Sequence, residues 1–181
     1  MRTQQGSFSG SQKTAPAKEQ RYENQAIPNM RNIYTFEVYI IRGPMSEEFV
    51  EENQVILRKI EIRGDQTLED LHLAIFDAFD REEMHLYEYQ IGGKGPNDPK
   101  AVSYSTPDPF ENSEELPKSC NHASATTIDS LKLKIDDVFG YWFDFGDDWW
   151  HQINVASIKS RPSTGKYPKV IERIGESPPQ Q

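Results

Sequence analysis

The chain contains the sequence YWFDFGDDWWHQI at residues 141–153, in which two aromatic-rich runs flank a turn rich in aspartate. On both sides of that turn, large apolar or aromatic side chains recur at every second position, as in strands that bury one face. The alternation predicts strands over 138–145 and 149–158, joined as a terminal β-hairpin. Aromatic, acidic and imidazole side chains are concentrated here, so this hairpin is the leading candidate for a functional site.

The turn of this hairpin allows two interpretations. In the first, Gly146 takes a positive φ without steric cost, while Asp144, Asp147 or Asp148 accepts backbone N–H hydrogen bonds in an Asx-type turn. In the second, the three carboxylates bind a hard cation. Two or three ligands on one turn fall short of the roughly six oxygens that such ions prefer. The structural interpretation is therefore favoured, and no metal is expected.

The hairpin also carries the candidate binding residues. Adjacent residues of a strand point to opposite faces, so Trp149 and Trp150 cannot both be buried unless both faces are covered. We therefore expect at least one indole to be exposed. Exposed aromatic side chains beside acids are typical of protein-binding surfaces, and an acidic rim favours a basic partner. The candidate binding residues are Asp144, Asp147, Trp149, Trp150 and His151.

Upstream of the hairpin, three further runs alternate with a period of two. They are residues 33–41, 56–62 and 85–91. Gly43 and Pro44 interrupt the chain after the first run, and Gly92 follows the third. The pattern predicts three strands, the first two joined by a long loop.

The clearest helix in the sequence begins after Thr67. This residue is a favourable N-cap, and Glu69 and Asp70 place acids in the first turn, where they interact well with the helix dipole. Apolar side chains then recur at helical spacing with one histidine among them: Leu68, Leu71, His72, Ile75, Phe76 and Phe79. The stripe predicts a helix that packs on the sheet and carries His72 into the core.

The order strand, strand, helix, strand, hairpin predicts an α+β domain with a mixed, largely antiparallel sheet and one main helix on one face. A right-handed crossover would lay the third strand beside the first, in a β-grasp-like arrangement. We expect a single domain over residues 31–158 with a long irregular loop at 92–125. A polar tail at 1–30 is expected to be disordered, and the proline-rich, basic residues 159–181 to form an extended arm.

Composition argues against several function classes. The formal net charge is −9, opposite in sign to the basic surface that DNA contacts require, so direct DNA binding is disfavoured. A single cysteine, Cys120, leaves no internal disulfide and favours a reducing compartment. No apolar run approaches the roughly 18 residues of a membrane span, and the N-terminus lacks a secretion signal. We expect a cytoplasmic protein without a membrane partner.

The histidines His72, His85 and His151 allow two interpretations. In the first, His72 and His151 point inward as neutral, hydrogen-bonded core residues whose pKa values are lowered by burial. In the second, all three converge with Asp144 in a transition-metal or acid–base site. No pair of them has a local metal-binding spacing, so only the fold can bring them together. The first interpretation is favoured, and no cofactor is expected.

Several short motifs occur together in this chain: Leu71-His72, His85-Leu86 with Tyr89, and Phe143-Asp144-Phe145-Gly146-Asp147 followed by Trp149, His151 and Ile153. In these motifs the chain resembles the plasmid pRiA4b ORF-3-like proteins over roughly residues 32–175. The resemblance implies a domain of unassigned function, in a family with some members labelled as transposon resolvases. The chain does not support that label, because residues 33–41 contain no nucleophilic serine and no basic helix pair is visible.

Three functional hypotheses follow. The leading one is a non-catalytic interaction domain whose aromatic and acidic hairpin, with the neighbouring helix, binds a basic protein or peptide. The second is a metal-dependent or acid–base enzyme centred on the histidines and aspartates. The third is an accessory protein of mobile-element DNA transactions.

Overall fold

The computed structural model describes residues 29–106, 121–162 and 164–180. Alternating apolar residues give the long strands their buried face, and the elements in chain order are β1 (Met30–Arg42), α1 (Glu47–Glu52), β2 (Leu57–Arg63), α2 (Leu68–Ala78), β3 (Tyr87–Ile91), β4 (Val102–Ser105), β5 (Asn121–His122), β6 (Val138–Phe143), β7 (Trp149–Pro162) and β8 (Lys169–Ile174). Short 3-10 turns at Ala123–Ala125 and Ile128–Leu131 precede β6. The tail predicted at 1–30 lies outside the described residues, except for the last two.

Helix α2 begins where the sequence predicts, at a capping box. The Thr67 hydroxyl accepts a hydrogen bond from the Asp70 N–H at 3.1 Å, and the Asp70 carboxylate accepts one from the Thr67 N–H at 2.8 Å. The pair satisfies two of the four backbone donors that a helix start leaves free. The helix buries its apolar stripe against the sheet through Leu68, Leu71, His72, Ile75 and Ala78.

The strands form one sheet in the order β5-β4-β3-β6-β7-β1-β2-β8. All neighbouring pairs are antiparallel except β4 and β5, which are parallel. The predicted α+β class with a largely antiparallel sheet is therefore confirmed. None of the helices in the described residues is long and apolar enough to cross a membrane.

The expected β-grasp-like arrangement, in which the third strand lies beside the first, is wrong. Strand β3 pairs with β6 and β4, and β6 and β7 lie between β3 and β1. The reason is the length of β7, which pairs with β1 from Met30 opposite Pro162 to Arg42 opposite Trp150. A ladder of that length satisfies far more backbone donors and acceptors than the five-residue β3 could.

The C-terminal arm predicted at 159–181 is also corrected. Strand β7 continues to Pro162, and β8 pairs with β2 at the edge of the sheet. Residues 175–180, called the C-terminal strap below, then run past the end of α2, where the Ser177 hydroxyl donates to the Asp80 carboxylate at 2.6 Å. The loop predicted at 92–125 contains β4 and β5, and its residues 107–120 lie outside the described ones.

The two faces of the sheet differ. Helix α2 packs on the face that holds the hydrophobic core. The opposite face is called the open face below. Its side chains belong to residues that pair directly with one another on adjacent strands, and most of them are partly exposed. The open face carries Glu37, Tyr39, Lys59, Glu88, Gln90, Trp142, Trp150, Gln152 and Asn154.

Candidate functional site

The loop between β6 and β7 is held by its own aspartates. The Asp144 carboxylate accepts hydrogen bonds from the N–H groups of Gly146 at 3.2 Å and Asp147 at 3.4 Å. The two residues of this loop with a left-handed backbone conformation are Asp144, with φ 53°, and Asp148, with φ 58°. The expectation that Gly146 takes a positive φ is wrong, because aspartate tolerates this region and can bond its own backbone there. The Asx interpretation of Asp144 agrees with this geometry.

Of the predicted cluster of histidines and aspartate, only His85 and Asp144 come together. The His85 Nε2 atom lies 3.4 Å from the Asp144 carboxylate and 3.7 Å from that of Glu83. His85 is partly exposed, whereas Asp144 is buried. The pair links the segment before β3 to the β6–β7 loop.

His72 is a core residue. Its Nδ1 atom lies 2.7 Å from the Tyr141 hydroxyl, and its ring stacks on that of Tyr87 with centroids 3.8 Å apart. The Nε2 atom is buried and has no hydrogen-bond partner among the residues that the structure describes. Burial lowers the pKa of His72 to about 4, because the protonated ring would lose its hydration. His72 is therefore neutral at physiological pH.

His151 lies on the other side of Tyr141. Its Nδ1 atom is 3.3 Å from the Tyr141 carbonyl oxygen, and its ring packs against Phe79. Burial, and secondarily the charge of Arg81, lowers the pKa of His151 to about 3. Within residues 29–106, 121–162 and 164–180, no three His, Cys, Asp or Glu side chains are placed to hold a metal ion.

The adjacent tryptophans are separated by the sheet. Trp149 is 0% exposed and lies on the core face. Trp150 lies on the open face, yet it is only 9% exposed. It stacks on Trp142 at 5.0 Å and donates its indole N–H to the Asp148 carboxylate at 2.7 Å. The expectation that one of these two indoles is exposed is wrong, because the indole of Trp142 stacks on Trp150 and covers it.

The exposed aromatic side chain of the hairpin is Phe145. Its side chain is 41% exposed, and its ring lies 4.1 Å from that of Trp142. Phe145, Trp142 and Trp150 therefore form one aromatic stack on the open face, called the aromatic stack below. Sequence reasoning missed Phe145 and Trp142, although the strand register set by the hairpin could have placed Trp142 beside Trp150.

A pocket continues the open face beyond the aromatic stack. Its volume is about 280 Å³, and the amide groups of Gln54, Gln152 and Asn154 line it. Ile41 and Val55, each about half exposed, form its apolar wall. This pocket can take an apolar side chain while its amides bond to peptide groups.

Arg81 is another buried residue that sequence reasoning missed. It follows the end of α2 and is 7% exposed. Its guanidinium lies 3.9 Å from the ring centre of Trp149, on the core side of the sheet. A single arginine after a helix leaves no periodic signal in the sequence, so only the fold reveals its burial.

Comparison with known proteins gives a family and a fold. The model of the family described as "Plasmid pRiA4b ORF-3-like protein" matches residues 48–181. The match contains α2, the histidines and the hairpin described above. No protein with a curated description shows a significant match.

The comparison with solved structures includes one of similar fold. It is a protein of unknown function from Methanosarcina mazei Go1, with 19% sequence identity and a TM-score of 0.57. The alignment covers 79% of this chain and 69% of that one. At this identity the likeness concerns the fold alone.

Proposed function

This chain belongs to the plasmid pRiA4b ORF-3-like protein family, and we propose that it is a non-catalytic interaction domain that binds a basic segment of another protein on its open face. The observation that carries the proposal is the aromatic stack of Trp142, Trp150 and Phe145 on the side of the sheet opposite to α2. Rigid, amphipathic aromatic side chains supply much of the binding energy at protein interfaces. A reducing, cytoplasmic setting is part of the proposal and rests on the single cysteine.

The charges around the aromatic stack favour a basic partner. Glu88 lies directly opposite Trp142 across the β3–β6 pair, and Asp148 holds the Trp150 indole. Glu37 lies further along the same face. Asp148 also forms an ion pair with Arg42 at 2.7 Å, so Glu88 is the acid beside the stack that has no cationic partner within the described residues. A lysine or arginine of the partner would bind there.

The neighbouring pocket supplies the second half of the site. Its amides, from Gln54, Gln152 and Asn154, can pair with the backbone of an extended segment. Its apolar wall of Ile41 and Val55 suits an aliphatic side chain of that segment. We therefore infer a partner that combines basic and apolar residues.

The enzyme hypothesis has weaker support. His72 and His151 lie on either side of Tyr141 in packed aromatic surroundings, and only His85 and Asp144 approach each other. The hypothesis of a DNA accessory would need a basic surface, and the open face carries acids.

The experiment uses fluorescein-labelled short peptides with matched apolar residues and basic, acidic or neutral polar residues, titrated with the full chain and followed by anisotropy. We expect saturable binding of the basic peptide alone. Phe145→Ser should weaken it about tenfold, which corresponds to about 1.4 kcal/mol. Glu88→Lys should weaken it as well.

The matched control is Leu73→Ser, since Leu73 is about half exposed on the outer side of α2. This variant removes an exposed apolar side chain without touching the open face. Equal binding of basic and acidic peptides, or an equal loss in the Phe145 and Leu73 variants, would reject the proposal.

A further inference from the structure

The segment before β1 differs in charge from the rest of the chain. Residues 1–28, called the N-terminal segment below, carry four of the chain's 20 basic side chains and two of its 29 acidic ones. The segment therefore has a formal net charge of +2, while the remaining 16 bases and 27 acids give the rest of the chain a net charge of −11. Opposite net charges favour contact between this segment and an acidic surface of the domain.

The open face provides such a surface, together with space beside it. Glu88 lies opposite Trp142 and forms no ion pair within the described residues. Phe145 leaves the outer end of the aromatic stack exposed. The neighbouring pocket of about 280 Å³ has the half-exposed Ile41 and Val55 in its wall. A basic segment with a few apolar side chains would therefore find both a charge partner and apolar contacts here.

The N-terminal segment has this composition. Its bases Lys13, Lys18 and Arg21 occur together with the aromatic residues Phe8 and Tyr22. This combination of basic and apolar side chains is the chemistry inferred above for the partner of the open face. Because the segment shows no apolar periodicity, it has no core of its own to bury and can bind in an extended form.

The N-terminal segment is also long enough to reach the aromatic stack. Strand β1 contains 13 residues, and its last residue, Arg42, lies opposite Trp150. The stretch 18–30 contains 13 residues as well. If this stretch turns back along β1 in an extended form, it covers the same distance of about 40 Å. Lys18 then lies at the level of Trp150.

From that level the segment can cross the sheet to the acid without a cationic partner. Glu88 lies on β3, three strands away from β1 and at the same level as Trp150, because both residues pair with Trp142. The distance across three strand spacings is about 14 Å. The five residues that lead from Lys18 back to Lys13 span about 17 Å when extended. Lys13 can therefore reach Glu88.

Building on the function proposed above, we propose that the N-terminal segment binds the open face of its own chain, with Lys13 beside Glu88, and competes there with the basic partner. A segment attached to the domain acts at an effective concentration on the order of millimolar, so even a weak contact reduces the affinity for a free peptide. The partner binds by displacing the segment, which makes the segment autoinhibitory.

The direct test is NMR of the full chain with a nitroxide spin label on the N-terminal segment. The label is attached through Thr14→Cys in a chain whose own cysteine is replaced by Cys120→Ser. We expect it to broaden the N–H signals of Trp142 and Gln152 on the open face far more than that of Leu73 on the outer side of α2. Added sodium chloride should reduce the broadening, since exposed ion pairs are screened.

Two results of this measurement would overturn the proposal. One is the absence of broadening on the open face, or equal broadening on both sides of the molecule. The other appears in a mixture of isotope-labelled chains without the nitroxide and spin-labelled chains without the isotope. Broadening as strong in that mixture as in the single sample would assign the open face to the segment of a second copy.

Titration with the fluorescein-labelled basic peptide tests the competition. Lys13→Glu combined with Lys18→Glu should lower its Kd about tenfold, because the segment no longer occupies the open face. The control, Lys132→Glu with Lys134→Glu, makes the same change in net charge at exposed residues before β6 and should leave the Kd nearly unchanged. Equal Kd values for the wild-type protein and the Lys13 and Lys18 variant would overturn the autoinhibition while the proposed function stands. A basic peptide that binds neither protein rejects the proposed function instead, and the spin label then decides the docking of the segment by itself.

Discussion

The Tyr141 hydroxyl lies 2.7 Å from Nδ1 of His72, and this is the hydrogen bond that joins α2 to the centre of the sheet. The two side chains are buried, and Tyr141 belongs to β6. Tyr89 lies opposite Tyr141 on β3 and is buried as well, but its hydroxyl has no partner in the described residues. The hydroxyl groups of these neighbouring tyrosines therefore differ, since only that of Tyr141 has a hydrogen-bond partner among the described residues.

This difference gives a matched pair of variants. Tyr141→Phe should lower the free energy of unfolding by about 1–3 kcal/mol, because it leaves the imidazole of His72 without its hydrogen bond in the core. Tyr89→Phe should be neutral or stabilising, since it removes a buried hydroxyl that is unpaired. Urea denaturation of both variants measures the two changes. Equal losses would show that the hydroxyl of Tyr89 also has a partner.

The buried histidines predict a loss of stability in mild acid. The pKa of His72 falls from its ordinary value of 6.5 to about 4 on folding, and that of His151 to about 3. The unfolded chain therefore binds more protons than the folded one below pH 6.5, so stability is full above that pH and declines as the pH falls toward the folded values. Because one pKa unit corresponds to about 1.4 kcal/mol, His72 alone contributes a loss of about 3 kcal/mol.

Chemical denaturation at a series of pH values from neutral to mildly acidic checks this expectation. The variant His72→Phe should show a shallower decline than the wild-type protein, while His122→Gln, at an exposed histidine of β5, should show the same decline. Protonation of carboxylates also lowers stability in acid, but it affects all three proteins alike. A wild-type slope in His72→Phe would mean that His72 is not neutral in the folded protein.

The sequence predicted the elements whose signals are local. The capping residues Thr67 and Asp70 mark the start of α2, and alternation marks the buried faces of β1, β2 and β3. The strand β8 left no such signal, because most of its side chains are exposed and it pairs with β2 alone. The sheet order was also out of reach, since it rests on pairs such as Thr35 with Ser157 that local periodicity does not encode.

The candidate sites show the same division. The aspartate-rich loop and the inward position of His72 and His151 follow from local pattern and register. The burial of Arg81 depends on the C-terminal strap and on Trp149, which are distant in sequence. The stack that covers Trp150 needs the register of β6 against β7. Long-range packing, which no single segment encodes, decided these features.

Alanine substitutions at Gly43 and at Gly146 should have different effects on the stability of the protein. A Cβ at Gly43 would overlap the ring of Trp149, which is buried and cannot move aside. Gly43→Ala should therefore destabilise the protein by about 1–3 kcal/mol. At Gly146 the nearest atom would be the Asp144 carboxylate at 3.4 Å, and the residue is exposed, so Gly146→Ala should change stability by less than about 0.5 kcal/mol. Thermal unfolding compares the two, and a large effect at Gly146 would contradict the loop geometry.

The buried Arg58 holds the C-terminal end of α2, the end of β8 and the strap together. Its guanidinium donates to the carbonyl oxygens of Ala78 at 2.8 Å and Ile174 at 2.9 Å, and to the Ser177 hydroxyl at 2.8 Å. Lysine keeps the charge but cannot reach these acceptors from one position, because its ammonium lacks the planar fork. Arg58→Lys should therefore lower the free energy of unfolding by about 3–5 kcal/mol, as expected when a buried charge loses its partners.

The adjacent residue provides the control for Arg58. Lys59 lies on the open face, where its ammonium is paired with Glu37 at 3.2 Å and Glu172 at 2.8 Å. Lys59→Arg should change stability by less than about 0.5 kcal/mol, because partly exposed ion pairs contribute little and arginine can form them too. Limited proteolysis adds a local readout, since Arg58→Lys should expose the strap near Ser177 while Lys59→Arg leaves it protected. A strap that stays protected in Arg58→Lys would show that its remaining bonds, to residues after α2, suffice to hold it.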